Sequence, residues 1–378
     1  MDGEQCLAHG LVERIGEEGS MLKHHRHDGV DIKQAIDIPD HSAAIQAILD
    51  TLLSPEHGVL KNLSEIDAVG HRVVHGGEKF SGSVVINDAV MQQLEDCIDL
   101  APLHNPPNIK GIKACVAHMG DIPQVGVFDT AFHQKMPEYA YLYALPYAMY
   151  EKYGLRRYGF HGTSHRYVAD RAAEMMDSPL SDLKLVTCHL GNGASSAAVS
   201  GGISVDTTMG FTPAEGLVMG TRTGDLDPAA LLYLMTAENL DTNQANNLIN
   251  KKSGLIGISG VSNDMREIEE SAETGHHRSQ VALDMFAYRV KKYIGAYAAA
   301  MGGLDGVIFT GGIGENSSII RRKALAGLEF MGIKLNEEKN YVRSSDERFV
   351  DDNSAVKVMV IPTNEELVIA RDTLELIA

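Results

Sequence analysis

The chain has 378 residues, 44% of them hydrophobic and 22% charged, which is long enough for two hydrophobic cores. Its formal net charge of −18 argues against a nucleic-acid partner, which requires a basic surface. No apolar run is long enough to span a bilayer, and the first residues lack the basic-then-apolar order of a signal peptide. The four cysteines are scattered and include no CxxC pair, which indicates reduced thiols in a cytoplasmic protein.

In chain order, the first third alternates helix and strand patterns. Apolar residues recur at helical spacing from Ile45 to Leu53, and Asp40 is the expected N-cap. The other predicted elements here are strands at 66–74 and 124–128, a helix at 88–99, and a turn at 101–107 that opens a further helix.

The remaining chain continues the alternation, which predicts α/β layers. Residues 139–150 are predicted to be a tyrosine-rich link, and the next helix, capped by Thr163 or Ser164, runs to about Met176. The later predicted elements are strands, a glycine loop and a turn within 183–208, a helix opened by Asp227 and Pro228, a helix at 278–301 striped by Phe286, Val290, Ile294 and Tyr297, strands at 306–310 and 356–361, and a capping box of Thr363 and Glu366 that opens the last helix.

Two glycine-rich segments, each directly after a predicted strand, are the most informative feature. They span residues 189–195 and 311–317. Glycine lets backbone N–H groups approach an oxyanion, and a following helix N-terminus adds partial positive charge. Two such loops predict one nucleotide, held at its phosphates by one loop and near its nucleoside by the other. The alternative is two ordinary tight turns, and no Walker loop is present.

Two arginines lie beside glycines at the ends of predicted strands. Arg72 precedes Gly76 and Gly77, and Arg222 lies between Gly220 and Gly224. The planar guanidinium matches carboxylates and phosphates in a bidentate geometry, so both are predicted to bind an anion. A surface arginine in a loop is the alternative.

Carboxylates and histidines complete the candidate chemistry. Asp129 follows an apolar strand, where it would hold a metal, orient a nucleophile or cap the next turn. Of His161 and His165, one is predicted to donate a hydrogen bond to a transferring group, and the other to lie on a helix surface. Glu365 is predicted to hold Mg²⁺ through water, whereas Glu366 has the capping position.

These residues together predict phosphoryl transfer, in which catalysis is mostly positioning and charge stabilisation. Asp264 and Arg266 are candidate nucleoside ligands, or only a helix start. A protein that binds ATP without transferring it is the rival from another class, and a sugar kinase is disfavoured because no polar site for sugar hydroxyls is visible.

The chain resembles the acetate and propionate kinase family. The motifs that carry this resemblance run in the family's order over essentially the whole chain: GHRVVHGG at 70–77, APLHNPP at 101–107, FDTAFH at 128–133, YGFHGTSH at 158–165, HLGNGAS at 189–195, GTRTGD at 220–225, TGGIGENS at 310–317 and PTNEE at 362–366.

The resemblance implies the α/β fold shared by acetate kinase, sugar kinases, heat-shock chaperones and actin, with two related domains, each a mixed sheet flanked by helices, and a nucleotide cleft between them. The expected domains are residues 1–130 with 367–378, and residues 131–366. The implied reaction is reversible phosphoryl transfer from ATP to acetate, giving acetyl phosphate and ADP, with Mg²⁺ or Mn²⁺, in a cytoplasmic homodimer.

The resemblance also implies a role for each matching position. The catalytic residues would be Arg72, Asp129, His161, Arg222 and His104. Asp129 and Glu365 would position the metal. The nucleotide would contact His189, Gly191, Asn192, Gly193, Asp264, Met265, Arg266, Gly312, Ile313, Gly314 and Asn316. The pocket for the acetate methyl would be Val74, Leu103, Phe160 and Pro213. Valine at position 74 favours acetate over propionate, and a propionate kinase is the alternative.

One departure from the family concerns the start of the chain. Family members begin with a strand that ends in an Asn-x-Gly-Ser-Ser-Ser loop and re-enters a hairpin, whereas residues 6–16 here already match the family segment on the far side of that hairpin. Either Met1 is an internal methionine taken as the start, or the chain is truncated. The expectation is an open sheet edge and, as an alternative function, nucleotide binding without turnover.

Overall fold

A computed structural model describes residues 3–101 and 104–378, and their contacts divide into two compact units. The first comprises the described residues up to Phe128 together with Glu366–Ala378, and the second comprises Asp129–Glu365. Both units combine β-sheets with α-helices.

The first unit contains two three-stranded sheets. One is antiparallel and consists of β1 (Ala8–Glu13), β2 (Met21–Arg26) and β3 (Asp31–Ala35). The other has the order β4 (Val69–Val73), β6 (Gln124–Phe128) and β5 (Val84–Val85), with β4 parallel and β5 antiparallel to β6. All five residues of β6 are buried, as expected for a central strand, and its predicted bounds are confirmed.

Four helices pack in the described part of this unit. They are α1 (His41–Leu52), α2 (Asp88–Asp96), α3 (Asn105–Met119) and α15 (Glu365–Ile377). Of these, α1 contacts β2 of the first sheet and α3 contacts β4 of the second. Asp40 caps α1 as predicted, because its side chain accepts a hydrogen bond from the Ala43 amide at 2.9 Å. The capping box predicted for α15 is wrong, since Thr363 Oγ1 is buried and makes no hydrogen bond within the described part of the chain.

The second unit is built on one mixed six-stranded sheet. Its order is β11 (Arg348–Phe349), β12 (Lys357–Val360), β10 (Gly306–Thr310), β7 (Lys184–Leu190), β8 (Ala194–Ser200) and β9 (Ile203–Thr207). The three strands β12, β10 and β7 are parallel, and β7, β8 and β9 form an antiparallel meander. The carboxyl ends of β7 and β10 therefore lie side by side.

Helices α4 to α14 surround this sheet. They are α4 (Glu138–Tyr141), α5 (Tyr147–Tyr153), α6 (Gly162–Met175), α7 (Pro228–Ala237), α8 (Thr242–Lys251), α9 (Gly254–Ser259), α10 (Met265–Glu273), α11 (His277–Met301), α12 (Gly311–Asn316), α13 (Ser318–Leu325) and α14 (Glu337–Tyr341). The tyrosine-rich link predicted at 139–150 thus contains helical turns. Asp227 caps α7 as predicted, by accepting from the Ala229 amide.

The core of the second unit forms where α6 and α11 pack against the sheet. Val168, Ala169 and Ala172 of α6 contact Leu185 of β7 and Ile308 of β10, all at most 1% exposed. The predicted stripe of α11 is buried, and α11 packs against β7 and β8. Within the described ranges, no helix has the length and apolarity needed to cross a membrane.

Candidate active site

The two glycine segments meet at one edge of the second unit's sheet. Thr310, the last residue of β10, is paired with His189 of β7. The first segment is a tight turn between β7 and β8, closed by a hydrogen bond from the Gly191 amide to the Gly193 carbonyl at 3.0 Å. This adjacency gives the two segments access to the same ligand.

The second segment is a helix, α12, and its prediction as a loop is wrong. Glu315 Oε1 accepts a hydrogen bond from the Gly311 amide at 2.9 Å. The guanidinium of Arg321, which is 1% exposed, donates to the carbonyls of Gly314 at 2.7 Å and Glu315 at 3.0 Å. Glu315, within the helix, and Arg321, in the next helix, thus satisfy both ends of a helix in which four of six residues are glycine or asparagine.

His161 precedes α6 in the left-handed conformation, with φ of 55° and ψ of 24°. A non-glycine residue in this region is strained, and such strain is concentrated at functional sites. The next residue, Gly162, donates its amide to the Asp129 carbonyl at 2.9 Å. Glycine is required there because a Cβ would lie 2.3 Å from that oxygen. The predicted cap by Thr163 or Ser164 is wrong, because both side chains lie inside α6 and are buried.

His161 and Arg222 face the same space above Gly193. A Cβ at Gly193 would lie 3.5 Å from His161 Nε2 and 3.6 Å from Arg222 Nη1. Two residues 61 positions apart in sequence are thus brought together by the glycine turn. The space between them is bordered by one imidazole, one guanidinium and the backbone of the turn.

Arg222 is half-buried and forms no ion pair with any carboxylate in the described part of the chain. Its Nη1 donates to the Pro213 carbonyl at 3.3 Å, and burial lowers the pKa of the guanidinium. A cation withdrawn from water without a counter-charge is costly, and an anionic ligand relieves that cost. The environment of Arg222 is that of an anion-binding residue.

Arg157 fixes the segment that carries Pro213. Arg157 donates to the carbonyls of Thr207 and Thr208, each at 2.9 Å, and pairs with Glu215 at 2.6 Å. This partly buried pair anchors residues 207–215, the segment that carries Pro213.

A chain of buried hydrogen bonds lies beneath His161. Its Nδ1 is 2.8 Å from Ser195 Oγ, which is also 2.8 Å from His165 Nε2, and His165 Nδ1 is 2.7 Å from Thr187 Oγ1. His165 is fully buried, so its predicted place on a helix surface is wrong. Burial lowers the pKa of His165 well below its usual range, and lowers the pKa of nearby His133 to about 4.

His189 supports the other side of His161. The two rings stack with centroids 4.3 Å apart, and Ser164 Oγ is 2.8 Å from His189 Nδ1. This stacking places His189 against the candidate catalytic histidine.

The predicted nucleotide residues fall into two groups. Near the turn, Asn192 is exposed, and its Oδ1 accepts from Asn263 Nδ2 at 3.0 Å. Along α12, Gly312 has open space where a Cβ would be, and Asn316 Nδ2 donates to the Gly312 carbonyl at 2.9 Å. Ile313 and Gly314 of α12 are buried.

The segment around Asp264 is a helix start, as one prediction allowed. Asp264 caps α10 and pairs with Arg266 at 2.6 Å, while Met265 is buried. The Arg266 side chain is 85% exposed and therefore accessible to a ligand.

The first unit carries the remaining predicted residues. Arg72 is exposed on β4, and the Val74 amide donates to Asn108 Oδ1 at 3.1 Å. His104 directly precedes α3. Burial, together with the charge of His104, lowers the pKa of neighbouring His75 to about 4. Leu103 lies outside the described residues.

The two candidate metal residues, Asp129 and Glu365, are carboxylates with different surroundings. Asp129 is 1% exposed, and Glu365 is the first residue of α15. Across the described ranges no group of three histidine, cysteine or acidic side chains is arranged to hold a metal. One or two carboxylates with water and substrate phosphates are what Mg²⁺ prefers, so the donors fit this ion.

Comparisons with known proteins identify the family of the chain. The model of the acetokinase family matches residues 1–371. The chain belongs to the acetokinase family. It is 57% identical over 377 residues to an acetate kinase of Halothermothrix orenii, which covers 100% of this chain and 95% of that protein.

Solved structures are similar over nearly the whole acetokinase-family chain. The crystal structure of Porphyromonas gingivalis acetate kinase has a TM-score of 0.95 and 50% identity, and covers 99% of this chain and 94% of that one. A propionate kinase from Francisella tularensis subsp. tularensis SCHU S4 has a TM-score of 0.92 and 40% identity, with 98% and 94% coverage. The predicted family, α/β fold class and phosphotransferase class are confirmed.

Three buried residues of the site were missed from sequence: Ser195, Thr187 and His133. Ser195 lies within the HLGNGAS motif, yet nothing local distinguishes it from Ser196. Thr187 is a polar residue inside an apolar strand, and that interruption was the available signal. His133 is recognisable only from the distant groups that it contacts.

Proposed function

We propose that this chain catalyses reversible phosphoryl transfer from ATP to acetate, giving acetyl phosphate and ADP. The observation that carries the proposal is the half-buried Arg222, which has no carboxylate partner among the described residues and faces His161 above Gly193. A guanidinium and an imidazole around a glycine turn fit a trigonal phosphoryl group, whose charge is spread over three equatorial oxygens.

The transfer is a direct in-line displacement. An acetate oxygen attacks the γ-phosphorus and forms the new P–O bond, while the bond to the oxygen bridging the β- and γ-phosphorus breaks and its electrons leave with ADP. Arg72 and Arg222 bind the carboxylate and the moving phosphoryl group, and His161 donates a hydrogen bond from Nε2. Asp129 orients the reactants, and His104 supports the acetate side.

Mg²⁺, or Mn²⁺ in its place, neutralises charge on the phosphate oxygens when it is bound. Asp129 and Glu365 are the residues that would hold it, through water. His189 and the turn from Gly191 to Gly193 bind the phosphates. The nucleoside contacts are Asp264, Met265, Arg266, Gly312, Ile313, Gly314 and Asn316.

Acetate is the preferred acceptor. By the resemblance to the family, Val74, Leu103, Phe160 and Pro213 are the residues that would select for its methyl group, and a valine side chain at position 74 is larger than alanine. One methylene is worth only about 1–3 kcal/mol, so some turnover of propionate is expected. Val74→Ala should shift the ratio of kcat/KM toward propionate, and an unchanged ratio would remove Val74 from the pocket.

The experiment is production of acetyl phosphate from ATP, Mg²⁺ and acetate by the chain as printed. Arg222→Ala should lower kcat/KM by roughly 10³-fold. Arg322→Ala, on the exposed side of α13, is the matched control and should leave turnover unchanged. Bound ATP with no turnover in the unaltered chain would favour the alternative, a protein that only binds nucleotide.

We also infer that the chain forms a homodimer in the cytoplasm. Helix α7 is apolar but has no buried residue, and Leu232 and Tyr233 are 64% and 71% exposed. An apolar helix of this kind is typical of an interface. Light scattering should give twice the chain mass, and Leu232→Asp should give a monomer.

The inference of a cytoplasmic location is supported by the four cysteines, which are free, as suits a reducing compartment.

A further inference from the structure

The number of protons in the hydrogen-bond chain beneath His161 limits the directions in which its hydrogen bonds can run. Thr187 and Ser195 each carry one hydroxyl proton, and a neutral histidine carries one N–H. The hydrogen-bond chain has three links. They join Thr187 to His165, His165 to Ser195 and Ser195 to His161, at 2.7, 2.8 and 2.8 Å. Each link needs one proton, so fixing the direction of one link fixes all three.

His165 is the rigid middle of this chain. It is 0% exposed, as are Thr187 and Ser195, and burial lowers its pKa, so it stays neutral. A neutral His165 donates from only one nitrogen. If Thr187 donates to Nδ1, then Nε2 donates to Ser195, and the Ser195 hydroxyl is left to donate to His161 Nδ1.

The direction of the chain follows from the group that His161 faces. Its Nε2 is directed to the space above Gly193 that Arg222 also borders. An anion in that space is bound by an N–H and repelled by a lone pair. The proton of a neutral His161 therefore belongs on Nε2, and its Nδ1 must accept.

We infer that Ser195 and His165 are positioning residues that hold His161 in the tautomer protonated on Nε2, ready to donate to the transferring phosphoryl group. This inference rests on the proposed function of His161. The stacked ring of His189 and the left-handed backbone at His161 hold the same ring in orientation, while the hydrogen-bond chain, in the direction that an anion at Nε2 selects, keeps Nδ1 as an acceptor.

The first test uses the unaltered chain. Nitrogen-15 NMR at pH 8, with ADP, Mg²⁺ and acetate bound, should show His161 with Nε2 protonated and Nδ1 unprotonated, and His161→Gln identifies its signals. A proton on Nδ1 in the same complex would overturn the inference. Because this readout needs no turnover, the expected tautomer in a chain without acetate kinase activity would refute the proposed function and support the hydrogen-bond chain.

The second test uses substitutions. Ser195→Ala should lower kcat by about 10- to 100-fold with little change in the KM for ATP or acetate, and should populate both His161 tautomers. The matched control is Ser196→Ala, the next residue of β8, which is equally buried and whose hydroxyl donates to Cys188 Sγ at 3.4 Å rather than to a histidine. His165→Gln, whose amide can still donate to Ser195, should retain more kcat than His165→Leu. Equal losses in kcat for all four variants, with an unchanged tautomer, would show a purely structural role.

Discussion

The two glycine segments begin alike and end differently. Both follow a buried strand, and both lie at the same edge of one sheet, but Gly191–Gly193 turns back into β8 whereas Gly311–Asn316 continues as α12. Residues 194–200 pair with β7 along its whole length, and this pairing makes the first segment a hairpin. The second is shaped by Glu315 and Arg321. Glycine permits either course, and the difference follows from strand pairing in the first segment and from the hydrogen bonds of Glu315 and Arg321 in the second.

The two segments also differ in the role that we propose for them, the turn in the chemical step and α12 in binding the nucleotide. The turn faces His161 and Arg222, so in the proposed function its backbone would border the reacting group. Helix α12 is held by Arg321, and its Gly312 faces open space, as suits a surface for the nucleoside. Substitutions at the turn should therefore change the chemical step, and those at α12 should change stability or nucleotide affinity.

The largest effect is expected from Gly193→Ala. The new methyl group would make ordinary contacts with His161 and Arg222, at 3.5 and 3.6 Å, so the chain should fold. It would occupy the space of the phosphoryl group, and kcat should fall by roughly 10³-fold, or ~4 kcal/mol. Acetyl phosphate production and the Tm measure the two effects. Normal turnover would mean that the phosphoryl group lies elsewhere.

Acid should destabilise the second unit through its buried histidine His133, whereas the arginine that supports α12 keeps its charge. His133 has a pKa of about 4 in the folded chain against 6.5 in the unfolded chain, so the unfolded state binds more protons between these values. The contribution of His133 to stability should therefore be full above pH 6.5 and should fall by about 3 kcal/mol as the pH drops to 4. Burial lowers the pKa of Arg321 to about 10, so the arginine stays charged throughout.

Urea unfolding between pH 7 and pH 4.5 measures this loss. His133→Asn should reduce the slope of the free energy of unfolding against pH. His277→Asn, exposed at the start of α11, is the matched control. A slope that His133→Asn leaves unchanged would show that this histidine does not set the acid sensitivity.

Arg321→Met should destabilise the second segment. It leaves the carbonyls of Gly314 and Glu315 and the side chain of Asn340 without their charged donor, at a cost of roughly 2 kcal/mol in the free energy of unfolding. The KM for ATP should rise while kcat changes little. Arg322→Met, at the adjacent exposed position, is the control. A loss confined to kcat would contradict the division between chemistry and support.

The smallest effect is expected from Gly312→Ala. A Cβ there meets no atom within 4 Å and the residue is helical, so stability should rise by about 0.5–1 kcal/mol. At Gly311, by contrast, φ is 75° and a Cβ would lie 2.8 Å from the Leu190 carbonyl, so Gly311→Ala should destabilise. Thermal unfolding of both variants gives the sign, and equal shifts would contradict the described geometry.

Much of the fold was predictable because local patterns agree with it. The strands at 124–128 and 306–310 match the predicted bounds, since short apolar runs between polar residues have few alternatives. The wrong predictions concern side chains that suit either an exposed or capping position or a buried one. Thr163 and Ser164 have the chemistry of helix caps but lie inside α6, and His165 has the chemistry of a surface residue but is fully buried.

The sequence by itself determined the family, the α/β class and the residues with the chemistry for phosphoryl transfer, because these depend on residue type and local order. Only the tertiary structure decided which of them meet. Gly193, His161 and Arg222 come from a strand turn, a helix start and a loop, and their common space exists because the sheet and α6 bring those segments together. The hydrogen bonds beneath His161 likewise depend on the tertiary structure, because burial keeps His165 neutral and the space above Gly193 that His161 faces selects their direction.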